Sequence, residues 1–297
     1  MLTSPNFWMG FAGLLYLVAG VFVLRKEIGA ARGWEKLIAL DCVFIAVSLA
    51  VFAPEHFRGP EFVAGMVPAY MPVRWFWAYL VGGALLAAAT SLTLRQFVRL
   101  SSMLLGLMFF LFVSMLFLPS ALRHPDSRFP WTYSLRDLSF CAGAWAIAGL
   151  ESRASSPRLA KGLILFSRIV LAVAAVFYAA QHFLHPGFVL GVPLEKKLPT
   201  WVPLPNEWSY LVGAILLAAG ICLALNWKPR MSAASIGALM TALVLFLYVP
   251  MMVVAYRGSP EEFNEGLNYV ADTLLYAGAV LGLASALPRD SDQGEEE

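Results

Sequence analysis

The chain has 297 residues, of which 60% are hydrophobic and 13% are charged, and its mean hydropathy is +0.71. A soluble domain does not keep that much apolar surface out of water. The formal net charge of +2 offers no strongly basic surface, so no nucleic-acid partner is expected. We therefore predict an all-α protein, a polytopic transmembrane helical bundle whose surrounding medium is the lipid bilayer.

Nine apolar stretches approach the length of about 20 residues that crosses a bilayer. The first has no basic leader and is followed at once by Arg25 and Lys26, which favours a retained helix over a cleaved signal peptide. In chain order, the predicted helices cover 6–24, 37–53, 75–94, 100–118, 134–150, 163–181, 208–225, 232–252 and 267–287.

The connections between these helices are of two kinds. Residues 25–36, 95–99, 151–162 and 226–231 are short and rich in Lys and Arg, whereas 54–74 and 182–207 are long and carry prolines and aromatic residues. Basic residues concentrate in cytoplasmic loops, so we predict a multi-pass protein of the bacterial inner membrane with its N-terminus outside and its C-terminus in the cytoplasm. The long outer loops are expected to pack down at the interface.

The sequence contains an internal repeat. The sequence YLVGGALLAAATSLTL (79–94) matches YLVGAILLAAGICLAL (210–225) at ten of sixteen positions, and EHFRGPEFVAG (55–65) matches QHFLHPGFVLG (181–191) at six of eleven. Asp137 with Ala-Gly-Ala at 142–144 is matched by Asp272 with Ala-Gly-Ala at 277–279. We predict two parallel-oriented four-helix repeats related by an axis along the membrane normal. The predicted division of the chain is 1–36, an extra transmembrane helix and basic inner loop; 37–150, the first unit; 163–287, the second unit; and 288–297, an acidic disordered tail.

The repeated (Q/E)HF turn, the Pro/Trp-rich outer loop, the YLVG second helix and the basic inner turn NWKPR (226–230) resemble the DoxX/DoxD-like superfamily of small membrane proteins. The resemblance is best in 163–287, weaker in 37–150 and absent from 1–36. It implies a four-helix fold and a link to membrane oxidoreductase assemblies, although distant relatives are receptors and maturation proteins. The acidic residue that many members carry in the second helix is replaced here by apolar residues, at 83–86 and 214–217.

Four polar residues recur in both units and form the candidate site: His56, His182, Asp137 and Asp272. The histidines either bond free carbonyls at helix ends or contact a quinone headgroup or carry protons. The aspartates lie a turn or two from the outer helix ends and either complement the helix dipole or serve function. Arg136, adjacent to Asp137, faces a different direction on a helix, so it need not be its partner.

Other polar and aromatic residues receive simpler interpretations. His185 could pair with His182 on a metal, but Gly59 stands in the matching place and the spacing selects no further ligand, so no metal site is predicted. Tyr178, with Tyr70 and Tyr256, is interpreted as part of the interfacial aromatic belt, or as lining for a ring-binding cleft.

The functional prediction is an integral membrane subunit of a redox assembly that engages a quinone or quinol near the outer leaflet. The chain carries no nucleotide, haem or protease motif, so no cofactor within the chain is expected; a quinone is the expected ligand, and other membrane or periplasmic redox subunits are the expected partners. The alternative is a non-catalytic scaffold, receptor or maturation factor that binds a partner protein or lipid. A transporter is a third possibility, but no pair of broken helices marks a route.

Overall fold

The computed structural model describes residues 5–289, and the first four residues and most of the predicted acidic tail, from residue 290 on, lie outside it. Within the described part, long helices follow one another with short connections, and the one β-bridge joins Phe188 and Lys197. Two short helices, Glu35–Ile38 and Pro60–Met66, accompany nine long ones. The long helices cover Pro5–Ala30 (α1), Asp41–Arg58 (α2), Arg74–Leu94 (α3), Val98–Arg123 (α4), Arg128–Ser152 (α5), Pro157–Leu184 (α6), Pro205–Ala224 (α7), Pro229–Ala255 (α8) and Pro260–Ala286 (α9).

The predicted all-α polytopic bundle is confirmed. Eight of the helices between residues 5 and 289 are long and apolar enough to cross a membrane, and the remaining one, α5, is as long but carries Arg136 and Asp137 in its middle. The helices extend further than the apolar stretches in the sequence indicated; α1, for example, runs on to Ala30. Hydropathy marks only the part of a helix that meets hydrocarbon, whereas backbone hydrogen bonds continue through the charged residues beyond it.

The helices divide into an inner and an outer group. In α9, 78% of the apolar span is buried inside the protein, against 22% in α1. The exposed side chains of α1 include Leu14, Val18 and Phe22, which form an apolar surface suited to lipid. A helix surrounded by other helices can carry polar residues without exposing them to lipid, which explains why the most polar helices, α5 and α9, are interior.

Small residues bring the central helices close together. The fourth helix of each predicted unit packs against the first helix of the other: α5 against α6, and α9 against α2. The two fourth helices also pack against each other, and a Cβ added to Gly143 of α5 would collide with Ala279 of α9. Gly278 is similarly closed in by Ile45 of α2. The matched Ala-Gly-Ala sequences are therefore the places where helix backbones cross at short distance.

Unusual backbone features recur at a spacing of 131 residues. The non-glycine residues with positive φ form three such pairs, Val73 with Leu204, Arg95 with Asn226, and Phe97 with Lys228. Two π-helical segments, Val113–Phe117 and Val244–Tyr248, have the same spacing. Each precedes a proline, Pro119 or Pro250, and the wider π turn removes the clash between the proline ring and the carbonyl four residues earlier. We propose on these recurrences that the two units arose by duplication.

The two long outer loops differ. In the second, the segment 185–204, Val189, Leu190 and Val192 are buried, and the Tyr248 hydroxyl donates to the Leu190 carbonyl at 2.5 Å. In the first, the helix Pro60–Met66 leaves Phe62 73% exposed. The second loop therefore buries apolar side chains in its end of the bundle, whereas the first buries Pro60 and Ala64 and exposes Phe62.

Candidate functional site

The candidate site is centred on one arginine shared by two aspartates. Arg136 donates from Nε to Asp137 Oδ1 at 2.9 Å and from Nη1 to Asp272 Oδ2 at 3.0 Å. The three side chains are between 6% and 18% exposed, so the interaction is largely shielded from solvent. Since α5 packs against α9, the two matched aspartates face each other across the contact between the predicted units.

The structure pairs Arg136 with Asp137, which the sequence had left open. Neighbouring residues do leave a helix in different directions, but the long arginine side chain can turn back along the helix. Its guanidinium lies 5.2 Å from the Tyr133 ring and 5.8 Å from the Phe140 ring, one turn before and one turn after. These rings hold the guanidinium over the helix surface, where both carboxylates reach it.

The aspartates also lie deeper than a turn or two from the helix ends. Asp137 follows the start of α5 at Arg128 by nine residues, and Asp272 follows the start of α9 at Pro260 by twelve. At 1.5 Å per residue, they lie about 14 and 18 Å along their helices. The sequence placed them too near the ends because polar residues at the start of α5 and α9 are helical, not part of the loops.

Two tyrosine hydroxyls lie beside this cluster, and that of Tyr178 has no hydrogen-bond partner among the described residues. Tyr178 and Tyr276 are both fully buried, their ring centroids are 5.8 Å apart, and the Tyr276 hydroxyl lies near Ser139. Tyr276 is one turn beyond Asp272 on the same face of α9, and Tyr178 interacts electrostatically with all three charged residues. Tyr178 is thus not the interfacial belt residue that its sequence position suggested, whereas Tyr70 and Tyr256 are exposed as such residues should be.

A third carboxylate, that of Glu55, lies nearer the end of the bundle that has the long loops. Glu55 Oε1 of α2 accepts hydrogen bonds from the side-chain amides of Asn264 at 2.9 Å and Asn268 at 3.2 Å, both on α9. No cation within the described residues pairs with it. Glu55 also interacts electrostatically with Asp272, so the local balance is three carboxylates to one guanidinium.

The two histidines have separate, local contacts. His56 Nδ1 bonds to the carbonyl of Phe52 at 3.1 Å, four residues earlier in its own helix. His182 is buried, and its Nε2 accepts from the Gly191 amide at 3.1 Å; its Nδ1 has no partner among the described residues. Neither histidine bonds to Asp137 or Asp272, so the structure brings together the two aspartates of the predicted site and leaves the histidines apart.

Of the residues at the site, Arg136 and Tyr276 were missed from the sequence. The signal for Arg136 was available: an arginine in the middle of a membrane-spanning helix needs an anionic partner, and the matched aspartates were the candidates. Tyr276 stands in an apolar run and offered no such signal. No group of three or more metal-ligating side chains that could hold an ion occurs within residues 5–289.

Comparisons with protein-family models, curated proteins and solved structures find no match to this chain. The fold and the site define a class: a polytopic α-helical membrane protein with a shielded Asp–Arg–Asp cluster between its central helices.

Proposed function

We propose that the protein is an integral membrane subunit of a redox assembly and that it engages a quinone or quinol at the Asp137–Arg136–Asp272 cluster. The observation that carries this proposal is the buried hydroxyl of Tyr178, which has no hydrogen-bond partner among the described residues and lies next to Tyr276 and the charged cluster. Buried polar groups are nearly always hydrogen-bonded, so one that is not marks a place for a ligand with oxygen acceptors or donors. The resemblance to DoxX/DoxD-like proteins supports the same class of ligand.

The charge balance supports an exchange of protons at this place. Reduction of a quinone takes two electrons and two protons, and oxidation of a quinol returns them. With two carboxylates sharing one guanidinium, the cluster has room for a proton without creating an unpaired positive charge. The chain carries no haem or nucleotide motif for the electrons, so a partner subunit has to supply or receive them.

The test measures binding of a short-chain quinone to the purified protein. Quenching of the protein's intrinsic fluorescence reports the binding. The double substitution Tyr178→Phe and Tyr276→Phe keeps both rings and removes both hydroxyls. If each hydroxyl contributes one net hydrogen bond of about 1 kcal/mol, affinity falls roughly thirtyfold. The control is Tyr256→Phe, an exposed tyrosine, which should bind as the unaltered protein does. No quinone binding by the unaltered protein, or an equal effect of the control, would refute the proposal.

The alternative, a non-catalytic scaffold or receptor, is favoured by the first outer loop. Phe62, Met66 and Tyr70 are exposed there, whereas the second loop buries Val189, Leu190 and Val192. A photo-activated cross-linking residue at Phe62, used in intact cells, identifies what covers this surface. Cross-links to one protein, retained in the Tyr178→Phe/Tyr276→Phe variant that no longer binds quinone, would support a scaffold; cross-links to lipid alone would not.

A further inference from the structure

A basic cleft lies at the end of the bundle that has the short connections. It has a volume of about 690 Å³ and lies where α6 begins and α9 ends. Among the described residues, its polar lining consists of Arg153, Lys161, Arg168 and Asn226 and includes no carboxylate. The cleft is remote from the Asp–Arg–Asp cluster and plays no part in the proposed function.

A second cleft in the described structure shows that this charge is not a general property of the short-connection end. It has a volume of about 620 Å³ and occupies the matching place in the first unit. In this second cleft, Arg95 donates to the Cys42 sulfur at 3.1 Å. The residues at the matching positions of the basic cleft are Asn226 and Arg168, and there Arg168 donates to Asn226. The lining of this second cleft includes four carboxylates, those of Glu27, Glu35, Asp41 and Glu151. Of the two related clefts, one has mixed charge and the other is cationic.

The cations of the basic cleft form no ion pair with any residue that the structure describes. Lys161 makes no hydrogen bond or ion pair within residues 5–289. Arg168 bonds to the neutral amide of Asn226, and Arg153 to the carbonyl of Ala286 at the end of α9. The bond from Arg153 also covers a carbonyl that would otherwise repel an anion. The first turn of α6 adds the partial positive charge of a helix N-terminus.

The remaining walls of the cleft are apolar. They include Pro157, Ile164 and Leu165 of α6 and Leu287 after α9. Leu165 is about half exposed and is followed along α6 by the exposed Ile169 and Val173. An apolar track therefore leads from the cations toward the middle of the lipid-facing surface, as a headgroup joined to hydrocarbon chains requires.

We propose that this cleft binds an anionic phospholipid, with its phosphate held by Lys161 and Arg168 and its acyl chains along Leu165 and Ile169. Basic pockets between membrane helices are suited to such headgroups because each cation near the surface adds attraction for the anionic group. The cations, unpaired within the described part of the chain, and the continuous apolar track together favour a lipid over a free phosphate.

The test measures thermal stabilisation of the full-length protein in an uncharged detergent as dioleoyl phosphatidylglycerol is added. Dioleoyl phosphatidylcholine provides the same chains without net charge, and glycerol phosphate provides the headgroup without chains. Phosphatidylglycerol should raise the unfolding temperature, and the other two should not. In the variant K161Q/R168Q the apparent affinity should fall roughly thirtyfold, at about fivefold for each charge removed.

The matched control is Arg158→Gln, an exposed cation in the first turn of α6 that does not line the cleft. It should leave the affinity within about twofold, since exposed charges outside a site act weakly. If K161Q/R168Q does not fold, Lys161→Gln alone removes a side chain with no protein partner and should still give about fivefold. Equal stabilisation by phosphatidylcholine or by glycerol phosphate, or an equal loss in Arg158→Gln, would overturn the proposal.

Discussion

At the scale of single residues, the central finding is that one guanidinium serves two carboxylates inside the bundle. The cost of placing charge in a membrane-spanning segment is tolerated here because Arg136 bonds both Asp137 and Asp272 and is flanked by aromatic rings. Such a cluster depends on its geometry: removal of one member leaves the others buried without compensation.

Replacement of Arg136 by Gln should therefore destabilise the protein by about 3–5 kcal/mol, because both aspartates lose their cation. The change in stability is measured by unfolding the purified protein in increasing concentrations of dodecyl sulfate. Tryptophan fluorescence reports the fraction unfolded. The fully neutral variant R136Q/D137N/D272N should regain most of the lost stability, since no buried charge remains.

The control for Arg136 is Lys196→Gln, which removes a surface ion pair with Glu265. The side chains of Lys196 and Glu265 are 34% and 45% exposed, so the loss of stability should be below about 1 kcal/mol. A loss as small as this in Arg136→Gln would mean that the Asp–Arg–Asp cluster is solvated and not a buried ionic site.

At the scale of elements, the second long loop is held in place by backbone contacts that only glycine permits. Gly191 has φ +91°, and its amide donates to His182 Nε2. A Cβ at Gly191 would lie 2.9 Å from Met240 Sδ, against α8. His182, the recurring histidine of the sequence, thus serves here as the acceptor that fastens this loop to α6.

Gly191→Ala should loosen the loop, because alanine strains at this φ and crowds Met240; the expected cost is about 1–3 kcal/mol. Trypsin cleavage after Lys196 or Lys197, measured on the folded protein, should become several-fold faster. The control is Gly65→Ala, at the matched position in the first loop, which lies in a helix with open space around it and should be neutral or slightly stabilising. Equal cleavage rates in the two variants would contradict this account of the loop.

At the scale of the whole molecule, the two predicted units are interleaved. Each fourth helix packs on the first helix of the other unit, and the two fourth helices meet at Gly143. The aspartates of the two units therefore belong to a single cluster. The asymmetry of that cluster comes from Arg136, whose matched position in the second unit is Ala271.

The predicted orientation is testable on the intact protein with a membrane-impermeant thiol reagent. Asp126→Cys lies in the connection between α4 and α5, and Ala154→Cys in the connection between α5 and α6, and both positions are exposed. The native cysteines at 42 and 141 are buried and the one at 222 is half-buried. With the N-terminus outside, Asp126→Cys should label in whole cells and Ala154→Cys only after permeabilisation, because α5 separates them across the bilayer. The reverse pattern would invert the topology.

The sequence by itself determined the all-α membrane architecture, the number of helices and the recurrence of the two aspartates. These depend on hydropathy and on local residue patterns, which a chain carries whatever its tertiary packing. Only the tertiary structure decided that Asp137 and Asp272 share Arg136, that Tyr178 and Tyr276 are buried beside them, and that the histidines stand apart. The physical reason is that these contacts join α5, α6 and α9, whose relative positions depend on where small residues let helices approach, and no local pattern encodes that.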